Sequence, residues 1–259
     1  MRTARTWLIL NIPMCGRYRL TAKERYIRDH FGIEDSLEWT PRYNIAPSQP
    51  VLTVRQHRTE PRRMFGLMRW GLIPYWANDP SIGFKTVNAM SESAAEKPAF
   101  REAMRKGRCL LPADGFYEWQ KLPAKPARGK AAKATQPYSI GMADGSVFAL
   151  AGLWDRWRSP SGEVLETCTI LTTDANVLVR AVHDRMPVIL RPDDYDLWLD
   201  PGVTDPARMA PLLKPFDARL MRMYPVSSRV NNVKYDDPEC AREVIPEQPG
   251  PLEQKTLFD

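Results

Sequence analysis

Five residues near the start of the chain, Met14-Cys15-Gly16-Arg17-Tyr18, carry the most unusual chemical potential in the sequence. If translation begins at Met14 and that methionine is trimmed, Cys15 becomes the terminal residue. It then presents an α-amine and a thiol on adjacent carbons. The amine has an ordinary pKa of about 7.7–8.0, so part of it is neutral at physiological pH. The thiol, ordinarily near about 8.5, is lowered by a neighbouring cation, and Arg17 is expected to supply one. Such a pair condenses with an aldehyde: the amine forms an imine and the thiol closes a five-membered thiazolidine. An internal cysteine cannot do this, so Met1–Pro13 is read as an N-terminal extension absent from the mature protein.

Two further residues fit a proton-transfer role. Glu118 lies in Phe116-Tyr117-Glu118-Trp119, and a carboxyl in aromatic company is expected to have a raised pKa. His183 stands before Asp184 and Arg185 at a loop-to-strand junction, where it could shuttle protons. Asn88, ahead of Ala89 and Glu92, could orient an amine or a sugar oxygen. His30 reads as a helix-face residue and His57 as a surface-loop residue.

The elements that must position these groups are mixed. A helix is expected within residues 21–33, a strand over Val51–Arg55, one or two buried strands over 64–73, and a helix over Ala94–Lys106. A strand from Cys109 runs on to Trp119. Residues 121–136 read as an enlarged, basic hairpin loop, and Tyr138–Trp157 as a hairpin turning at Ala143–Ser146. A strand over 165–173 puts Cys168 in the core, followed by a short helix at Asp174–Ala181, the strand Val188–Leu190 and a proline-initiated helix from Pro192 to Leu199.

Composition sets the outer limits. The chain has 259 residues, 43% hydrophobic and 26% charged, as in an ordinary globular protein. Eight tryptophans and 24 prolines favour a body rich in strands and loops. A formal charge of +6 is compatible with a polyanionic partner. Four scattered cysteines without CxxC spacing, with only three histidines, make a metal site unexpected and point to a reducing compartment. No apolar run is long enough to span a bilayer, so no membrane association is expected.

Six blocks occur in one order: Met14–Tyr18, Arg69-Trp70-Gly71-Leu72-Ile73-Pro74, Asn88-Ala89 with Glu92, Gly115–Trp119, His183–Pro187 and Val230–Lys234. Together they resemble the SOS-response-associated peptidase (SRAP) family, the abasic-site shielding proteins of the DNA damage response, over residues 14–242. The resemblance implies a single α+β domain built on a curved, barrel-like, mostly antiparallel sheet with flanking helices. It also implies covalent capture of the ring-opened sugar at abasic sites in single-stranded DNA, without a cofactor. Cys15, Asn88, Glu118 and His183 are then the catalytic residues. Trp70, Tyr75 and Trp76 are expected to stack on or wedge the DNA, although Trp70 also suits core packing. Arg17, Arg69, Lys85 and Arg185 are expected to contact phosphates.

One departure stands out: Met90 occupies a position where the family usually has arginine, which puts DNA affinity rather than chemistry in question. A monomer working in the cytoplasm, on the nucleoid in a bacterium, is expected. Two rival readings remain open: a cysteine peptidase or autopeptidase with Cys15 as nucleophile, and a noncatalytic module for single-stranded DNA. Residues 243–259 read as a flexible tail. Within it, Gln254, Leu257 and Phe258 resemble the short motif that docks on the bacterial sliding clamp.

Overall fold

The computed structural model describes residues 15–36, 38–57, 59–122 and 135–245. The N-terminal extension, most of the basic 121–136 segment and the clamp-like motif at Gln254, Leu257 and Phe258 lie outside the described residues. Within them, thirteen strands and three short α-helices form one α+β domain.

The strands in chain order are β1 (Tyr18–Leu20), β2 (Arg42–Ile45), β3 (Pro50–Gln56), β4 (Arg63–Trp70), β5 (Asn88–Met90), β6 (Arg108–Ala113), β7 (Gly115–Lys121), β8 (Thr135–Met142), β9 (Phe148–Arg158), β10 (Val164–Asp174), β11 (Arg185–Pro187), β12 (Ile189–Leu190) and β13 (Met221–Pro225). They make two sheets. Five strands close on themselves as a barrel, with β3 beside β4, β4 beside β10, β10 beside β9, β9 beside β6, and β6 returning to β3. Only the β4–β10 contact in that ring is parallel. The second sheet is antiparallel, in the order β13-β8-β7-β1-β2. The barrel-like, mostly antiparallel expectation holds, and the closure is complete.

Strand β10 links the barrel to the candidate site. Its sequence VLETCTILTTD is rich in β-branched residues, which fit a pleated, two-sided environment. Seven consecutive residues, Cys168 among them, are buried. Burying threonines is tolerable because their hydroxyls reach neighbours: Thr167 Oγ1 accepts from the Ile73 amide at 2.8 Å, and Thr173 Oγ1 donates to the Leu213 carbonyl at 3.2 Å. The first half of β10 closes the barrel; its second half receives β5 in parallel and β11 antiparallel. That placement brings Asn88 and the His183–Arg185 segment to one end of the strand.

Several local expectations needed correction. The 109–119 segment is two strands in different sheets, because Asp114 turns the chain between them. Its Oδ2 accepts from the Thr21 and Ala22 amides at 2.5 and 2.8 Å, and its Oδ1 from Arg19 Nε at 3.0 Å. Residues 138–157 do not form a hairpin either: β8 pairs with β7 and β13, whereas β9 pairs with β6, β10 and β12. The helix expected from Ala94 is reduced to α2, Arg101–Lys106, with turns before it. Pro98 supplies no amide and disfavours helical geometry at Lys97. At 174–181 only the 3-10 turn Val179–Ala181 forms, capped by Asn176 Oδ1 accepting from the Leu178 and Val179 amides. By contrast α1, Glu24–Phe31, buries Ile27 and Phe31 as its spacing predicts and ends at Gly32, whose φ of 63° suits a glycine. His30 on its surface hydrogen-bonds the Tyr195 hydroxyl at the start of α3, Tyr195–Leu199.

Residues 230–235 are fastened across β1 and β2 by one fully buried side chain. Asn44 Nδ2 donates to the carbonyls of Val230, Asn232 and Tyr235, at 2.6 Å for the last, while its Oδ1 accepts from Arg17 Nη1 at 2.7 Å. Asn44→Ala removes all four contacts and leaves buried partners unsatisfied. It is expected to cost about 2–4 kcal/mol in urea denaturation, against near-zero cost for an exposed asparagine such as Asn78→Ala.

Candidate active site and nucleic-acid surface

Cys15 sits just before β1, buried, with a left-handed backbone at φ 49°. Its main-chain nitrogen donates to Glu118 Oε1 at 2.9 Å, and its carbonyl accepts from Asn88 Nδ2 at 3.4 Å. Two residues 73 and 103 positions away in sequence thus meet at the Cys15 backbone. β7 delivers Glu118 because it pairs directly with β1, in a register that sets Tyr18 opposite Phe116. β5 delivers Asn88 because it pairs with β10.

Glu118 is only 3% exposed, and its carboxyl is pushed up to about 8 by loss of solvent, offset in part by the hydrogen bond from Cys15. The expected direction is therefore right, and its cause is burial, without contact from Tyr117 and Trp119 on the other face of the strand. Residues alternate faces along a strand. Tyr117 and Trp119 pack with Val226, Val230 and Cys240, whereas Phe116, on the Glu118 side of the alternation, joins the main core. Near neutral pH much of the Glu118 population holds its proton and can give it to a nearby atom.

The Cys15 thiol departs from expectation. Burial, and then the Glu118 charge, push its pKa well above the usual thiol value. Arg17 does not lower it, because its Nη1 is turned to Asn44 Oδ1 and to the Val230 carbonyl at 2.6 Å. Its guanidinium also lies 5.8 Å from the centre of the Trp119 ring. Arg17 is a buried structural clasp and not an exposed phosphate contact.

His183 is half-buried, and burial lowers its pKa. Its Nδ1 accepts from the Arg185 amide at 3.0 Å. It lines a cleft of about 360 Å³ with Trp119, Gln120, Lys121 and Arg180, alongside the strand that carries Glu118. Among the described residues no hydrogen bond joins His183 directly to Cys15 or Glu118. Nor do three metal-ligating side chains converge among the described residues.

The expected DNA-contacting residues divide sharply. Trp70 is fully buried, donates through Nε1 to the Val87 carbonyl at 2.8 Å and meets Tyr18 edge-to-face, so it is core and cannot stack on a base. Tyr75 and Trp76 are 59% and 46% exposed on the following loop. Lys85 is exposed, and Arg69 lies over the ring of Phe84, itself 63% exposed. Phe84, which the sequence reading did not single out, ends the 3-10 turn Pro80–Phe84 and adds a third exposed aromatic ring; its place between Gly83 and Lys85 was the available signal. Gly71 holds this loop close, since a Cβ there would come within 2.5 Å of the Gly83 carbonyl oxygen at a φ of 125°. Arg185 is taken by Glu92 and Asp174, at 2.7 and 2.8 Å, and is likewise not presented to phosphate.

The closed barrel, the second sheet and a buried cysteine whose main-chain nitrogen meets a carboxyl define a class: an α+β protein with its candidate chemistry at the chain's N-terminal segment. Comparison with known proteins places it further. The family model for SOS response associated peptidase (SRAP) matches residues 14–233. Abasic site processing protein YoqW of Bacillus subtilis is 44% identical over 229 residues, which cover 87% of this chain and 98% of that protein. Abasic site processing protein HMCES of Xenopus tropicalis is 35% identical over 231 residues, covering 82% of this chain and 68% of that protein. A crystal structure of a Bacteroides thetaiotaomicron protein superposes with a TM-score of 0.76 at 28% identity, over 89% of this chain and 100% of that one. The chain belongs to the SRAP family.

The raised Glu118 pKa has a consequence for stability. A carboxyl whose folded pKa lies above its unfolded value stabilises the fold fully below the unfolded pKa and loses that contribution as pH rises through the folded one. Here the window runs from the ordinary 4.5 to about 8. Glu118→Gln keeps an acceptor for the Cys15 amide and removes the titration. Relative to wild type, it is expected to gain thermal stability between about pH 5 and pH 9, on the order of a few kcal/mol. Parallel melting curves with the same pH slope would count against burial as the cause.

Proposed function

We propose that this chain captures abasic sites in single-stranded DNA as a thiazolidine on Cys15, shielding the lesion. The observation that carries the reading is the 2.9 Å contact between the Cys15 nitrogen and Glu118 Oε1. Once residues 1–14 are removed, that nitrogen is an α-amine beside a carboxyl that can take its proton, freeing the lone pair for attack, and give the proton back in a later step. The names of relatives such as YoqW and HMCES, abasic site processing proteins, support the substrate class.

The amine adds to the C1′ aldehyde of the ring-opened sugar, giving a carbinolamine. Glu118 donates a proton to the departing hydroxyl, and water leaves as the imine forms. The thiol sulfur then adds to the imine carbon while its proton passes to the nitrogen. The net change is loss of one water. Closure removes the imine, the electron sink through which β-elimination would cut the strand. A high thiol pKa suits this order, because a neutral thiol does not compete with the amine for the aldehyde. The same property disfavours a cysteine hydrolase, which needs a thiolate before attack. Asn88 holds the Cys15 carbonyl, and His183 exchanges protons with the sugar from the adjoining cleft.

For the strand itself, Tyr75 and Trp76 offer stacking faces, and Arg69 and Lys85 supply charge on the same loop region. With Met90 exposed where an arginine is usual, these two cations bear more of the phosphate contact.

Intact mass spectrometry after incubation with an oligonucleotide carrying one abasic site tests the chemistry. The expected product is protein beginning at Cys15 plus DNA minus one water, absent with Cys15→Ala. Glu118→Gln is expected to slow its formation by roughly 10²-fold. A chain that keeps Met14 yet forms the same adduct would overturn the assignment to the α-amine. On the DNA side, Trp76→Ala is expected to weaken association with undamaged single strands by about 1–3 kcal/mol, read by fluorescence anisotropy. Trp70→Phe, a change within the core, should leave that affinity unaltered.

A further inference from the structure

Arg185 occupies a site built from three directions. Its Nη1 and Nη2 donate to the two oxygens of Glu92 at 2.8 and 2.7 Å, a fork-on-fork pair. Nη1 also donates to Asp174 Oδ1 at 2.8 Å, and Nη2 to the Thr172 carbonyl at 2.8 Å. One guanidinium thus lies among two carboxylates and a carbonyl, and the Arg185 side chain is 11% exposed. The cluster is one cation with two anions, so a phosphate approaching it meets net negative charge. A family-style phosphate contact is the wrong role for this arginine here.

What the clamp does fix is the backbone of residue 185. β11 is only three residues long, Arg185–Pro187, and Arg185 pairs with Asp174 at the end of β10. The Arg185 amide is the donor to His183 Nδ1 at 3.0 Å. An Nδ1 that accepts a hydrogen bond cannot carry the proton, so the neutral ring must hold it on Nε2. Protonating both nitrogens would set an N–H against the Arg185 N–H.

We propose that Glu92 and Asp174, acting through Arg185, are positioning residues that hold His183 as the Nε2–H tautomer. Nε2 is then the atom from which His183 gives a proton. Other charged groups facing the ring are Lys121 from β7, Arg180 on the preceding turn and Asp184 beside it. Lys121 opposes protonation and Asp184 favours it. The tautomer stands on the geometry alone, while its catalytic consequence rests on the function proposed above.

Nitrogen-15 NMR of the full chain reads the tautomer directly, and with three histidines in the sequence His183 is assignable by a single His183→Gln variant. The expected wild-type signal is a neutral ring protonated on Nε2. Glu92→Gln with Asp174→Asn, both at exposed positions, is expected to give a mixture of tautomers. The same double variant should slow adduct formation by at least about tenfold and shift its pH profile. Glu92→Asp should recover part of that rate. The salt dependence of single-strand binding should be unchanged in Arg185→Gln, whereas a phosphate contact would lower the slope of log K against log salt by about 0.7. A wild-type ring protonated on Nδ1, a tautomer indifferent to the double variant, or a reduced salt slope would each overturn the proposal. The NMR and salt readouts need no covalent capture. A wild type that forms no adduct but shows the Nε2–H signal would therefore refute the function reading and leave the positioning intact.

Discussion

The hydrogen bond between the Cys15 main-chain nitrogen and Glu118 is the constraint on which the site depends. It requires a carboxyl almost wholly removed from water, and a carboxylate in that position is costly unless it is protonated or paired. Among the described residues no cation is paired with it; the Cys15 amide is. The result is a group poised near neutrality, and the sheet exists to hold it there. β7 must lie beside β1 for Glu118 to reach Cys15, and Asp114 must turn the chain so that β7 leaves the barrel sheet after β6. The Asp114 contacts to Arg19, Thr21 and Ala22 are therefore part of the site's construction, though far from any chemistry.

The two pKa displacements at Cys15 and Glu118 have one origin. Burial disfavours the charged form of each, and each anion would disfavour the other. Neither group is primed as a nucleophile in the manner of a thiolate protease. Both are kept neutral, which suits a reaction whose first nucleophile is an amine and whose later steps move protons over short distances. The same environment that slows thiolate chemistry thus favours amine-first condensation.

Much of this was readable before any coordinates, and the boundary has physical reasons. Cys15, Asn88 and Glu118 stand out as candidates by residue type, and the structure brings those three together. The barrel was implied by resemblance and by strand-like segments such as 165–173. What the sequence could not reveal was pairing between distant segments. Continuous β-like residues from Cys109 to Trp119 look like one strand, because nothing local says that Asp114 will find its donors on Arg19, Thr21 and Ala22. Trp70 and Trp76 are only six positions apart, yet one donates to a core carbonyl and the other faces solvent. Alternation along β4 and the turn at Gly71 separate them, and both are properties of tertiary packing.

Arginine was the residue type most easily misread, and the error bears on how a basic protein is understood. A net charge of +6 invites the view that its cations face a polyanion. Yet Arg17, Arg19 and Arg108 are each less than a tenth exposed and donate to interior carbonyls, amides, hydroxyls or carboxylates. Arg185 joins them through Glu92 and Asp174. Guanidinium groups are chosen for such work because five donors in a plane can tie several chain segments at once. Part of the basic balance is therefore internal bracing. The charge available to a strand lies with side chains such as Arg69 and Lys85, beside exposed Tyr75, Trp76 and Phe84. On the function proposed above, a flexible single strand would be held by these aromatic faces as much as by the cations. On that same reading, Met90 in place of the usual arginine alters how the strand is held and leaves the contact between Cys15 and Glu118 intact.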